Sequence, residues 1–200
     1  NLAGDDSGID LSTNDQIILK TANTTALTIN SSQVATFANP PVGTFISEAD
    51  QFRLTADLTS NTDPISSNLE RVDDASFSKI GTGMSVSSGI FSFPSTGLYL
   101  VKIHAIFRCE EGDFANVRIK VTTNNSSYDD VGIAEVANIG TANSSNVGST
   151  VSCETFVNVT NTSNVKVKFV TNSFNTDTKI LGVTNFNETY FTFLKLGESQ

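Results

Sequence analysis

The chain has 200 residues, 38% of them hydrophobic and 16% charged, and twelve basic against twenty-one acidic side chains give a net charge of −9. That balance argues against a nucleic-acid partner, whose phosphates need a positive footprint, and against adhesion to anionic lipid. No apolar run is long enough to span a membrane and no secretory signal opens the chain, which starts at Asn1 without Met; a fragment of a longer polypeptide, or a processed product, is expected.

Ser, Thr and Asn make up about a third of the residues, and fourteen Phe with three Tyr and no Trp can fill a core. This mixture favours strands and turns, and no long window carries a helical period. Residues 1–43 form a region of their own. Asp15–Lys20, Ala26–Asn30 and Val34–Phe37 read as short strands between polar turns. The region is too small to enclose a core. It would be stable as a β stalk in which three chains wind round one axis and hide their edges, or as a hairpin extension packed on the next domain. Asn39-Pro40-Pro41-Val42-Gly43 is a stiff linker, because proline extends the backbone and cannot donate to a ladder.

Residues 44–200 form the second domain. Phe45–Leu58 supplies its first strands, Ser60–Asn68 a polar loop, and Leu69–Lys79 a short strand with an exposed Asp73-Asp74 pair. Further strands are predicted at Ile90–Phe93, Leu98–Arg108, Asn116–Thr122, Val131–Ala137, Ser149–Val159, Val165–Val170, Ile180–Thr184 and Thr189–Leu196. So many short strands without a helix make an all-β, two-sheet sandwich or jelly roll.

Two strands are apolar on both faces. After a tight turn at Pro94-Ser95-Thr96-Gly97, Tyr99, Val101, Ile103, Ala105 and Phe107 share one face. Leu98, Leu100 and Ile106 share the other, broken only by Lys102, His104 and Arg108. Near the end, Phe191, Phe193 and Lys195 face one way and Tyr190, Thr192, Leu194 and Leu196 the other. An antiparallel strand of a monomeric sandwich wets one face. A second copy of the chain is the expected cover.

The residues argue against an enzyme. His104 is the only histidine and sits mid-strand among apolar neighbours, as a structural residue does. Gly83-Met84-Ser85-Val86-Ser87 lacks the second glycine and the helix of a nucleophile elbow. One His and two Cys make no usual zinc site, and no cofactor or metal is expected. Glu110-Glu111-Gly112-Asp113 and Tyr128-Asp129-Asp130 are oxygen-rich turns, read as solvated loops ahead of calcium sites. Cys109 and Cys153 both flank strands, which favours free thiols over a bridge. Eight Asn-x-Ser/Thr sequons, at Asn23, Asn30, Asn124, Asn125, Asn143, Asn158, Asn161 and Asn187, follow from composition.

The wording from Ala26 to Gly43, ALTINSSQVATFANPPVG, resembles the shaft-to-tip junctions of bacteriophage tail fibres and other virion appendages. Phe91, Gly97 and Tyr99, with the closing run Tyr190-Phe191-Thr192-Phe193-Leu194, are similar to the globular head of complement component one-q, a family that shares its trimeric jelly roll with tumour necrosis factor. The pattern departs at Met84, where that family carries an aromatic. The wording from Glu70 to Gly97 also resembles tip domains of marine phage structural proteins.

These resemblances imply a homotrimer facing the outside of a virion, joined to other virion proteins, with no membrane insertion. The function expected is a non-enzymatic tail-fibre or appendage tip that binds a host cell-surface receptor, a glycan ahead of a protein. Its contact loops would be Glu110–Asn116, Asn124–Asp130 and Asn138–Asn146, with Asp113, Tyr128, Asp129 and Asp130 foremost. The alternatives are a capsid fibre or decoration protein whose cap sets chain register, a polysaccharide depolymerase, and a secreted lectin-like trimer.

Overall fold

The computed structural model describes residues 8–10, 16–38, 46–109, 114–137, 147–175 and 177–200. The Pro-Pro linker, residues 110–113 and the loop 138–146 lie outside them, so the contacts expected of Asp113 are not placed. The chain divides into two compact units, Asn1–Phe45 and Ile46–Gln200.

The first unit is a single-layer antiparallel meander of β1 (Gly8–Asp10), β2 (Ile17–Thr21), β3 (Thr24–Ile29) and β4 (Ala35–Phe37). Ala22 and Asn23 take left-handed φ values of 47° and 61°, the two-residue turn that suits a twisted hairpin. Asn30 Oδ1 accepts hydrogen bonds from the backbone N–H of Ser32 and Val34, both 3.0 Å, and closes the next turn. Register puts Leu19, Leu27 and Phe37 in one row and Ile17, Ile29 and Ala35 in the next, on the same face. No described side chain between residues 16 and 38 is buried.

The second unit contains β5 (Ala49–Leu54), β6 (Leu69–Arg71), β7 (Ser85–Ser87), β8 (Ile90–Ser92), β9 (Gly97–Cys109), β10 (Phe114–Thr122), β11 (Asp129–Ala137), β12 (Val147–Val159), β13 (Lys166–Asn172), β14 (Lys179–Ile180) and β15 (Tyr190–Gly197). One sheet runs β11-β10-β13-β8-β7. The other runs β12-β9-β15-β5-β6, with β14 also paired to β9. No described residue is helical. The strand expected at Ile180–Thr184 shortens to Lys179–Ile180.

The turn at Pro94–Gly97 joins strands of different sheets: β8 pairs with β7 and β13, β9 with β12 and β15. It is a corner of the sandwich. Tyr99 straps it by donating its hydroxyl to the Ser95 carbonyl at 3.1 Å, with its ring 4.8 Å from that of Phe93. A Cβ on Gly97 would lie 2.3 Å from Lys195 Cε and 2.7 Å from the Gly197 carbonyl oxygen, so no side chain fits there.

Phe91 is the hub of the core. Its ring lies 5.2 Å from Phe52, 5.6 Å from Phe169 and 5.1 Å from Phe193, joining both sheets through aromatic contacts. Along β9 and β15 burial alternates as the sequence predicts: Tyr99, Val101, Ile103, Ala105, Phe107, Phe191 and Phe193 are all buried. Met84, in the aromatic position of the similar family, is buried too.

Asp73 and Asp74 are more than an exposed pair. Arg53, fully buried on β5, donates through Nε to Glu70 at 2.6 Å, through Nη2 to Asp73 at 2.6 Å and through Nη1 to Asp74 at 2.7 Å. Burial works against its charge, but the hydrogen bonds it donates to Glu70 and Asp74, and their charges, outweigh that and push its pKa further up. One cation thus ties β6 and the following loop onto β5. Arg53→Met should cost about 1–2 kcal/mol, because three carboxylates, part-exposed to solvent, lose the hydrogen bonds of their shared cation. A urea midpoint within error of the parent protein would refute that role.

Candidate functional site

The outer faces of the two sheets differ in chemistry. On the β12-β9-β15-β5 sheet, register aligns Phe156, Leu100, Leu194 and Ala49 as one row across four strands. The next rows are Glu154-Lys102-Thr192-Gln51 and Ser152-His104-Tyr190-Arg53. Phe156 is 66% exposed and Leu196 46%, while Leu98, Leu100, Tyr190 and Leu194 are half-buried. The apolar second face predicted for β9 and β15 is therefore present, and no described part of the chain buries it. The sequence reading missed Phe156, which pairs with Leu100, 56 residues earlier in the chain.

The outer face of β11, β10 and β13 is polar. Asp130, Lys120 and Lys168 align across three strands, and Asp63 reaches them from the loop before β6. Lys168 Nζ lies 2.5 Å from Asp63 and 4.5 Å from the centre of the Tyr128 ring. Lys120 lies 3.6 Å from Asp63 and 3.5 Å from Asp130, and Arg118 donates to Asp130 at 2.8 Å. Of the predicted contact residues, Tyr128 and Asp130 are brought into this cluster. Asp129 is exposed beside it without an ion pair among the described residues. Arg118, Lys120, Lys168 and Asp63 were not singled out, since only strand register brings them together.

The loop before β11 is folded on itself. Asn124 Oδ1 accepts from the backbone N–H of Ser126 at 2.9 Å and of Ser127 at 3.0 Å, so Tyr128 is presented by a set turn. Burial would raise the Asp63 carboxyl, but the hydrogen bond from Lys168 and the charges of Lys168 and Lys120 prevail and hold it below the usual value. Among the described residues, no three His, Cys, Asp or Glu side chains group to hold a metal ion. Neither Cys109 nor Cys153 is in a disulfide, and Cys153 is only half-buried. Burial pushes the Cys153 thiol up to about 11, which keeps it protonated and unreactive. Three sequon asparagines have engaged side-chain amides: Asn124 donates to Ser127 Oγ at 3.0 Å, Asn158 to the Gln200 carbonyl and Asn187 to Gln51, the last two at 2.7 Å.

No protein-family model matches the chain, and no curated protein does. Solved structures do. The Eiger TNF of S. frugiperda superposes with a TM-score of 0.60 at 11% identity, covering 78% of this chain and 96% of that one. Murine APRIL, from crystals at pH 5.0, superposes with a TM-score of 0.55 at 11% identity, covering 74% and 98%. The second unit is a TNF-like jelly roll. At this identity the likeness is one of fold.

The single histidine of this TNF-like unit sits in the middle of the uncovered sheet. His104 stacks on Tyr190, ring centres 4.8 Å apart, and its Nδ1 lies 2.9 Å from Ser152 Oγ. Burial first, then the charge of Lys102, holds the imidazole below its usual value. Around pH 6.5 the unfolded chain therefore takes up a proton that the folded chain does not. Stability carried by neutral His104 is present at neutral pH and lost as pH falls through the unfolded value. Urea titrations between about pH 8 and 5 should show the parent losing more stability than His104→Gln. A parent that gains stability relative to the variant on acidification would reverse the assignment.

Proposed function

We propose that the chain is a non-enzymatic, homotrimeric bacteriophage appendage, a β stalk carrying a jelly-roll head that binds a host cell-surface glycan. The observation that carries the reading is the uncovered apolar row Phe156-Leu100-Leu194-Ala49. A sheet that exposes such a row needs a partner, and apolar patches on soluble proteins mark interaction sites. Phe156 lies on the edge strand of the sheet and Leu194 in its middle. The edge of one copy can therefore rest on the face of the next. That head-to-tail contact closes into a ring at three-fold symmetry.

The meander has the same problem in a second form. Leu19, Leu27, Phe37, Ile17, Ile29 and Ala35 make an apolar face with no buried member, as expected of a stalk strand set that waits for its sister chains. The resemblance of this segment to phage shaft-to-tip junctions supports placing it in a virion appendage. The TNF-like fold supports a binding head without naming what it binds. The meander also favours a second reading, in which the head is chiefly a cap that sets the register of three stalks. Deleting residues 44–200 tests the second reading: stalks that still form trimers, and no longer adsorb to host cells, rule out the head as the cap that sets register and speak for receptor binding.

In sedimentation experiments the parent should run as three copies. Leu100→Glu or Phe156→Glu should give folded single copies, because a carboxylate buried in the contact costs several kcal/mol. A parent that sediments as one folded copy at working concentration would remove the trimer.

A further inference from the structure

On the charged outer face a groove of about 340 Å³ opens between the Asn61–Asp63 segment, β10 and β13, within the size range of small-ligand sites. Three of its lining side chains, Asn61, Asn172 and Arg118, keep donors that nothing else uses among the described residues. The Asn61 side-chain oxygen accepts from the Phe174 N–H at 2.9 Å, and that of Asn172 from the Ser173 N–H at 2.7 Å. Both amide nitrogens are thereby left without a partner among the described residues. Arg118 spends Nε on Asn116 Oδ1 at 3.0 Å and Nη1 on Asp130, which leaves Nη2 open. Asn116 is fully buried opposite Asn172, and its own amide nitrogen has no partner among the described residues.

The neighbouring acceptors are already used. Asp63 is held by Lys168 and Lys120, Asp130 by Arg118 and Lys120, and the hydroxyls of Thr62 and Thr171 bond each other at 3.0 Å. A site whose spare groups are two amide nitrogens and one edge of a guanidinium suits a ligand rich in acceptors and negatively charged. The flat arginine fork matches a carboxylate best.

We infer that this groove binds an acidic saccharide, with Arg118 on a sugar carboxylate and Asn61 and Asn172 on its ring and hydroxyl oxygens. The inference rests on the reading of the head as a glycan binder and names the class of glycan. The groove lies on the sheet opposite the apolar row, so a trimer built on that row leaves three such sites open, and their avidity offsets a weak single contact.

The test is calorimetric titration of the whole chain with hexagalacturonate, a sulfated hexasaccharide and maltohexaose at ~0.15 M salt. Hexagalacturonate should bind, Arg118→Gln should weaken it at least about tenfold, and Asn172→Ala should weaken it less. Lys79→Gln, away from the groove, should change nothing. Circular dichroism and sedimentation of the variants must match the parent; if Arg118→Gln misfolds, chemical-shift mapping of the parent with hexagalacturonate replaces it and should single out β10 and β13. Binding that survives Arg118→Gln, or that maps elsewhere, overturns the groove and leaves the head a glycan binder. A preference for the sulfated sugar overturns the carboxylate, and binding of maltohexaose alone overturns the acidic class. No binding of any of the three overturns the inference, and adsorption to host cells then decides separately whether the head recognises a surface at all.

Discussion

The period of two along β9 is the constraint on which the second unit depends. Between β12 and β15 this strand has hydrogen-bonded neighbours along its length, so each of its side chains is committed to one sheet face. A slip of one residue would send Tyr99, Val101, Ile103, Ala105 and Phe107 out of the core and bring Lys102, His104 and Arg108 in. The aromatic hub at Phe91 exists only in the native register, since Phe193 meets it by pairing with Val101. The same register fixes what is left outside. Once Val101 and Phe193 face inward, Leu100 and Leu194 must line up facing outward, with Phe156 beside them.

The two outer faces follow from this with opposite chemistry. On the β12-β9-β15-β5 sheet, leucines and aromatics alternate with core residues. On the β11-β10-β13 sheet the alternating partners are Asn116, Arg118 and Lys120 on one strand and Lys168 and Asn172 on the next. A single sandwich thereby presents one surface suited to dry contact and one suited to hydrogen bonding. Arg53 marks the end of the first surface, where a buried guanidinium and three carboxylates replace the apolar row.

Much of this arrangement was legible from local pattern. The alternation in GLYLVKIHAIFRC and YFTFLKL gave both strands and both faces, and the separation of short strands by turn residues gave a sandwich. What local pattern does not contain is pairing. Pro94–Gly97 reads as a tight turn in either case, and only the partners of β8 and β9 show it to be a corner between sheets. Arg53 has no local signal beyond a cation within QFRL; its acids lie 17 to 21 residues later in the chain. Asp73 and Asp74 therefore read as solvated. Tyr128 and Asp130 were found because acids and an aromatic in a polar turn stand out. Arg118, Lys120, Lys168 and Asn61 come from three separate segments, and each alone is an ordinary surface residue.

The net charge of −9 and a groove of donors are compatible, because they act over different distances. At physiological salt, surface charges are screened beyond about 8 Å. An acidic saccharide in the groove would thus not be repelled by carboxylates on remote parts of the head; it would meet Arg118, Lys120 and two amides, with the nearby Asp63 and Asp130 already paired to Lys168, Lys120 and Arg118. The acidic exterior acts earlier, by opposing loose adsorption of polyanions anywhere else on the protein. Recognition then falls to short-range hydrogen bonds whose geometry is set by neighbours: Asn61 by Phe174, Asn172 by Ser173, Arg118 by Asn116 and Asp130. A basic surface would bind polyanions more tightly and discriminate among them less. Confining the donors to one groove per chain trades strength at a single site for selectivity, and a three-fold assembly is a direct way to recover the strength.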